Sequence, residues 1–106
     1  MPLSHIATQL IAKWPFLEVI AANAQRMLGP CGVVLFGSRA TGKDRETSDF
    51  DIVIEHQGTA EEWANFVVFV KESPVTLYDV DLIDRREASP QLCKAIQKEG
   101  ILLNDL

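Results

Sequence analysis

The sequence has little of what marks a secreted, membrane-bound or polyanion-coating protein. It carries only two cysteines, Cys31 and Cys93, far apart and in no CxxC pair. Reduced cytosolic thiols are the expectation, and with them a cytoplasmic location. No apolar run approaches the roughly 20 residues of a membrane span. The longest candidate, Phe66-Val67-Val68-Phe69-Val70, is bounded by Asn65 and Lys71. The opening Met1-Pro2-Leu3-Ser4-His5 lacks the basic region of a signal peptide. Positive charge is scarce as well: 10 Lys and Arg against 15 Asp and Glu, a net charge of −5. There is no basic stripe for coating nucleic acid or docking on an anionic membrane. An acidic protein can still handle a polyanion when a metal ion stands between them.

What is present fits one folded domain over residues 1–106. Apolar residues make up 47% and charged residues 24%, which is ordinary for a soluble chain and argues against disorder. No repeat, low-complexity tract or linker interrupts it. Residues 3–28 carry apolar side chains at spacings of three and four, which predicts helix. Pro15 should kink or split that helix near Trp14, and Gly29-Pro30 should end it. Residues 32–36 predict a short strand, 39–45 a polar turn or short helix, and 50–55 a second strand. Alternation puts Asp49, Asp51, Val53 and Glu55 on one face of it and Phe50, Ile52 and Ile54 on the core face. Thr59-Ala60-Glu61-Glu62 is a capping box that opens a helix to about Glu72. A third strand is expected over 75–83. Ser89-Pro90 should open a last helix ending at Gly100, followed by a short edge strand at 101–103. The alternation of helix and strand predicts a small α/β or α+β domain.

Chemistry concentrates in one constellation. Gly37-Ser38 follows the first strand directly, ten residues intervene, and Asp49-Phe50-Asp51 opens the second. The two carboxylates stand roughly 7 Å apart along one strand face. Asp81 on the third strand is a further acid. Nucleotidyl transfer must neutralise a triphosphate and align an attacking oxygen, and two metal ions held by carboxylates can do both. Mg²⁺ takes one or two carboxylates and leaves its other positions to water and phosphate. Gly37 allows close backbone approach, Ser38 offers a hydroxyl, and the turn's N–H groups can receive phosphate. Arg39, Lys43 and Arg45 are candidate cations for the phosphates.

This pattern resembles the signature of the DNA polymerase beta nucleotidyltransferase superfamily. Asp81, within Tyr78-Asp79-Val80-Asp81-Leu82-Ile83, matches that superfamily's third carboxylate. The short length is similar to the minimal nucleotidyltransferases, the MNT proteins. The resemblance implies a mixed sheet flanked by helices, and transfer of a nucleoside monophosphate from an NTP with Mg²⁺, two ions being expected. It implies Asp49, Asp51 and Asp81 as metal-binding and catalytic residues, with Gly37, Ser38, Arg39 and Lys43 at the triphosphate. It also implies a small helical HEPN-type partner, a toxin that is neutralised by AMP transfer from ATP. The alternatives are a small-molecule nucleotidyltransferase whose partner supplies the substrate pocket, and a module that neutralises its partner by contact alone.

The remaining candidates have plainer readings. Asp79 shares Asp81's face and is a weaker rival for its role. Asp84 reads as a strand-end residue, and Arg85 and Arg86 as surface. His5 and His56 have no partners at metal-ligand spacing and are expected in solvent. Trp14, Trp63, Phe66, Phe69 and Val70 fall at helical spacing and read mostly as core.

Overall fold

The computed structural model describes residues 3–73 and 75–104. Ser4 caps α1 (His5–Lys13) by accepting the Ala7 N–H at 3.1 Å. Pro15 splits the predicted helix, and α2 (Phe16–Leu28) starts at the next residue and ends at Gly29. β1 (Gly32–Phe36) runs into α3 (Ser38–Thr41), a single turn. After a loop come β2 (Phe50–Glu55) and α4 (Ala60–Glu72). The expected capping box forms: Thr59 Oγ1 accepts the Glu62 N–H, and Glu62 Oε1 accepts the Thr59 N–H. β3 (Val80–Asp84), a 3₁₀ turn at Arg85–Glu87, α5 (Pro90–Glu99) and β4 (Ile101–Leu102) complete the chain.

The four strands form one mixed sheet in the order β3-β2-β1-β4. β1 is antiparallel to β2 and β4, and β2 is parallel to β3. Helices α2 and α4 cover one face. Leu17, Ile20, Phe66 and Val70 pack there against Val33, Leu35, Phe50, Ile52 and Ile54. On the other face Leu92 and Ile96 of α5 cover Phe36, Val53, Val34 and Ile83. Val53 is therefore buried although it shares a strand face with three acids. The cluster under α5 reaches Phe36, and Asp49 and Asp81 at that end of the sheet are exposed.

Two expectations need correction. The third strand is shorter than predicted, starting at Val80 rather than residue 75. Among the described residues its one sheet neighbour is β2, which begins at Phe50, paired with Val80. Residues 75–79 would have to pair with 45–49, and that segment is a turned loop in which the Ser48 N–H donates to Arg45 O at 3.0 Å. His56 is buried, with 2% of its surface exposed. Its ring stacks on Trp63 with centroids 5.0 Å apart, and its Nδ1 accepts the Gly58 N–H. Its Nε2 lies 3.2 Å from Asp84 Oδ2 and 3.2 Å from a terminal nitrogen of Arg86.

Candidate active site

The topology brings three distant segments to one end of the sheet. β1 ends there, and β2 and β3 both begin there. Phe36 lies opposite Asp51, and Asp51 lies opposite Asp81, so these side chains form a row on the face that α5 partly covers. Asp51 is half-buried at the lip of that cluster, while Asp49 and Asp81 are exposed. Asp79 is exposed too, and its carbonyl accepts the Phe50 N–H at 2.9 Å, which docks the start of β2 to the approach of β3.

Burial pushes the Asp51 carboxyl above its ordinary value, and the charges of Asp81 and Asp49 push it further. The cluster therefore bears an uncompensated negative charge that a divalent cation would relieve. An all-oxygen carboxylate set of this kind suits Mg²⁺. Among the described residues no three His, Cys, Asp or Glu side chains converge at metal-ligating distance. The acids form an electrostatic cluster and not a closed cage.

Gly37 sits directly against this cluster. Its backbone, at φ 78° and ψ −158°, lies in a region only glycine visits readily. A Cβ placed on it would fall 2.5 Å from Asp51 Oδ2. Gly37 O then accepts the N–H groups of Ala40 and Thr41, turning the chain into α3. The opening N–H groups of such a turn have no partner within it, so α3 offers donors beside the carboxylates. Ser38 opens the turn and Lys43 follows it, exposed.

Arg39 is placed otherwise. It is only 4% exposed and points beneath the loop rather than towards the acids' open face. Its guanidinium donates to Asp44 Oδ2 at 2.8 Å, to Ser48 O at 2.8 and 3.2 Å, and to Glu46 O at 3.1 Å. It also lies over the rings of Phe50, Tyr78 and Trp14. Its donors are engaged in holding protein, which corrects the expectation of a phosphate contact.

The sequence profile of the family described as "Polymerase beta, Nucleotidyltransferase" matches residues 18–105. The chain belongs to the polymerase beta nucleotidyltransferase family. Within that family it is similar to the protein adenylyltransferase MntA of Shewanella oneidensis, with 34% identity over 68 residues. That match covers 64% of this chain, which spans about half (49%) of the relative's length. Among solved structures, a toxin–antitoxin with AMP-PNP superposes with a TM-score of 0.66 at 30% identity, covering 84% of this chain and 73% of that one. The tri-AMPylated Shewanella oneidensis HEPN toxin in complex with MNT antitoxin gives 0.64 at 25% identity, covering 87% and 71%. The family membership extends over α2 to β4 and includes every acid of the cluster.

Two features of the structure had no usable signal in the sequence. The His56–Asp84–Arg86 cluster joins residues about thirty apart. Asn104 clips the chain's end to β1, accepting the Val33 N–H and donating to Cys31 O, both at 2.8 Å.

Proposed function

We propose that this chain transfers AMP from ATP to a hydroxyl of a small helical HEPN-type toxin and thereby acts as its antitoxin. The observation that carries the reading is the pairing of Asp51 with Asp81 across β2 and β3, with Asp49 beside them and Gly37 packed on Asp51. The likeness to MntA and to toxin–antitoxin structures supports the acceptor class.

In this reading Asp49 and Asp51 hold Mg²⁺, two ions being expected, and Asp81 completes a shell or accepts the hydroxyl proton. Mg²⁺ held by these carboxylates would supply charge neutralisation for the triphosphate and for the oxygens that gain charge during transfer. The α3 turn receives the phosphates through backbone N–H groups and the Ser38 hydroxyl, and Lys43 adds a mobile positive charge. The acceptor oxygen attacks the α-phosphorus, the bond to the bridging oxygen breaks, and pyrophosphate leaves. Asp81 is exposed, so an acceptor hydroxyl can reach it. A reducing, cytoplasmic setting belongs to the same reading, consistent with Cys31 and Cys93 both being free thiols.

The test is co-expression with a small helical HEPN-type protein, followed by incubation with ATP and Mg²⁺ and mass spectrometry. An AMP adduct on the partner that vanishes with Asp49→Asn is expected. A partner that stays unmodified and is still neutralised by Asp49→Asn would establish neutralisation by contact. A nucleotidylated small molecule in place of a labelled protein would establish a small-molecule transferase.

A further inference from the structure

Arg39 follows Ser38 in the α3 turn, and its guanidinium reaches across to the loop that ends at Asp49. Nε and one terminal nitrogen both donate to Ser48 O, the carbonyl of the peptide that joins Ser48 to Asp49. The other terminal nitrogen pairs with Asp44, and Glu46 O takes a further bond. On the far side of Asp49, the Phe50 ring lies 4.5 Å from the guanidinium carbon. Asp49 is thus bracketed: its preceding peptide is hydrogen-bonded to Arg39 and its following side chain is stacked on Arg39. A lone loop turn has no such need for a buried cation. Five donors in a fixed plane suit an array of carbonyls and one carboxylate.

We propose that Arg39 is a positioning residue, tying the phosphate-binding turn to the metal-binding acid Asp49 so that the two keep a fixed separation. The proposal rests on the reading of Asp49 as a metal ligand. A carboxylate at the end of an untethered eight- to ten-residue loop would sample many orientations, and ordering it would weaken ion binding. The clamp does that ordering in advance. It also explains why an arginine beside the phosphate turn is buried away from the phosphates: its charge holds the loop, and Lys43 remains for the nucleotide.

The test uses the full chain and Mn²⁺ as the spectroscopic probe. Arg39→Lys keeps the charge but cannot hold Ser48 O and Asp44 together. It should weaken Mn²⁺ binding about tenfold, the range found when a residue supporting a metal ligand is lost. Amide exchange at Asp49 and Phe50 in metal-free protein should quicken in the same variant. Asp44→Asn cuts only the outer arm of the clamp and should give a smaller shift in both readouts; it decides the matter if Arg39→Lys does not fold. A purely structural arginine would lower the melting temperature and leave the folded protein's Mn²⁺ affinity unchanged, which would overturn the positioning role. Wild-type protein with no Asp49-dependent Mn²⁺ binding would instead overturn the reading of the site itself, and the proposal with it.

Discussion

Gly37 and Asp51 share one small space. A methyl group on Gly37 would lie 2.5 Å from Asp51 Oδ2, in a backbone conformation that side chains rarely adopt. The glycine that follows β1 therefore gives the central carboxylate the room it occupies.

Gly37→Ala should accordingly damage the site more than the fold. The backbone strain costs about 1–3 kcal/mol. Asp51 must also move, which misaligns the acid row. Thermal denaturation alongside ATP binding and transfer checks this. A well-folded Gly37→Ala protein with wild-type transfer would mean that Asp51's position is not critical.

Asp51→Asn should abolish transfer and leave melting temperature equal or higher. The carboxylate is half-buried and repelled by Asp81 and Asp49. The amide relieves that repulsion but binds Mg²⁺ poorly. Asp49→Asn should lose transfer as well. Stability and activity measured on the same preparations separate the two effects, and retained transfer in either variant would contradict the assignment.

ATP binding should require Mg²⁺ or Mn²⁺. At 4 Å, each pair of like unit charges costs about 4 kcal/mol at an effective dielectric of 20, and three carboxylates face a triphosphate. Titration calorimetry in Mg²⁺ and then in excess chelator tests the point. Equal affinity in both would rule out this site.

Asp84 should give the protein an acid-sensitive component of stability. Burial by itself pushes its carboxyl up. Hydrogen bonds from the Arg86 side chain and backbone N–H and from His56 outweigh that and hold it below its ordinary value of 3.8. A carboxyl lowered by folding stabilises the protein above its unfolded value, and that stability is lost as the pH falls through the folded one. Wild type should therefore lose more stability than Asp84→Asn when denaturation is followed downward from about pH 5. Identical pH profiles would show that the cluster contributes no net linkage.

His56→Leu should cost about 2 kcal/mol, because the Gly58 N–H loses its acceptor and Asp84 a donor in a buried setting. Transfer by the folded protein should be unaffected, since His56 lies past the end of β2 and the acids lie at its start. A loss of transfer without a loss of stability would give His56 a role this structure does not.

Helices and strands whose signals are local could be read from the residues alone. Thr59–Glu62, Ser89-Pro90, Pro15 and Gly29 each act within a turn of their own position, so caps and breaks fell where the residues predicted them. The alternation from Phe50 to Ile54 likewise predicted the core face of β2, and the Gly37-Ser38 and Asp49-Phe50-Asp51 spacing drew attention to the acids. Features that depend on partners far along the chain emerged with the fold. Residues 75–79 alternate like a strand but have no strand opposite them. Arg39 donates its hydrogen bonds to the nearby loop, but it is buried because rings at 14, 50 and 78 close over it, and His56 because Asp84 and Arg86 arrive beside it. A polar side chain enters a core only where other groups meet its hydrogen-bonding atoms, and the packing that brings Trp14 and Tyr78 to Arg39, or Asp84 to His56, leaves no local trace in the sequence.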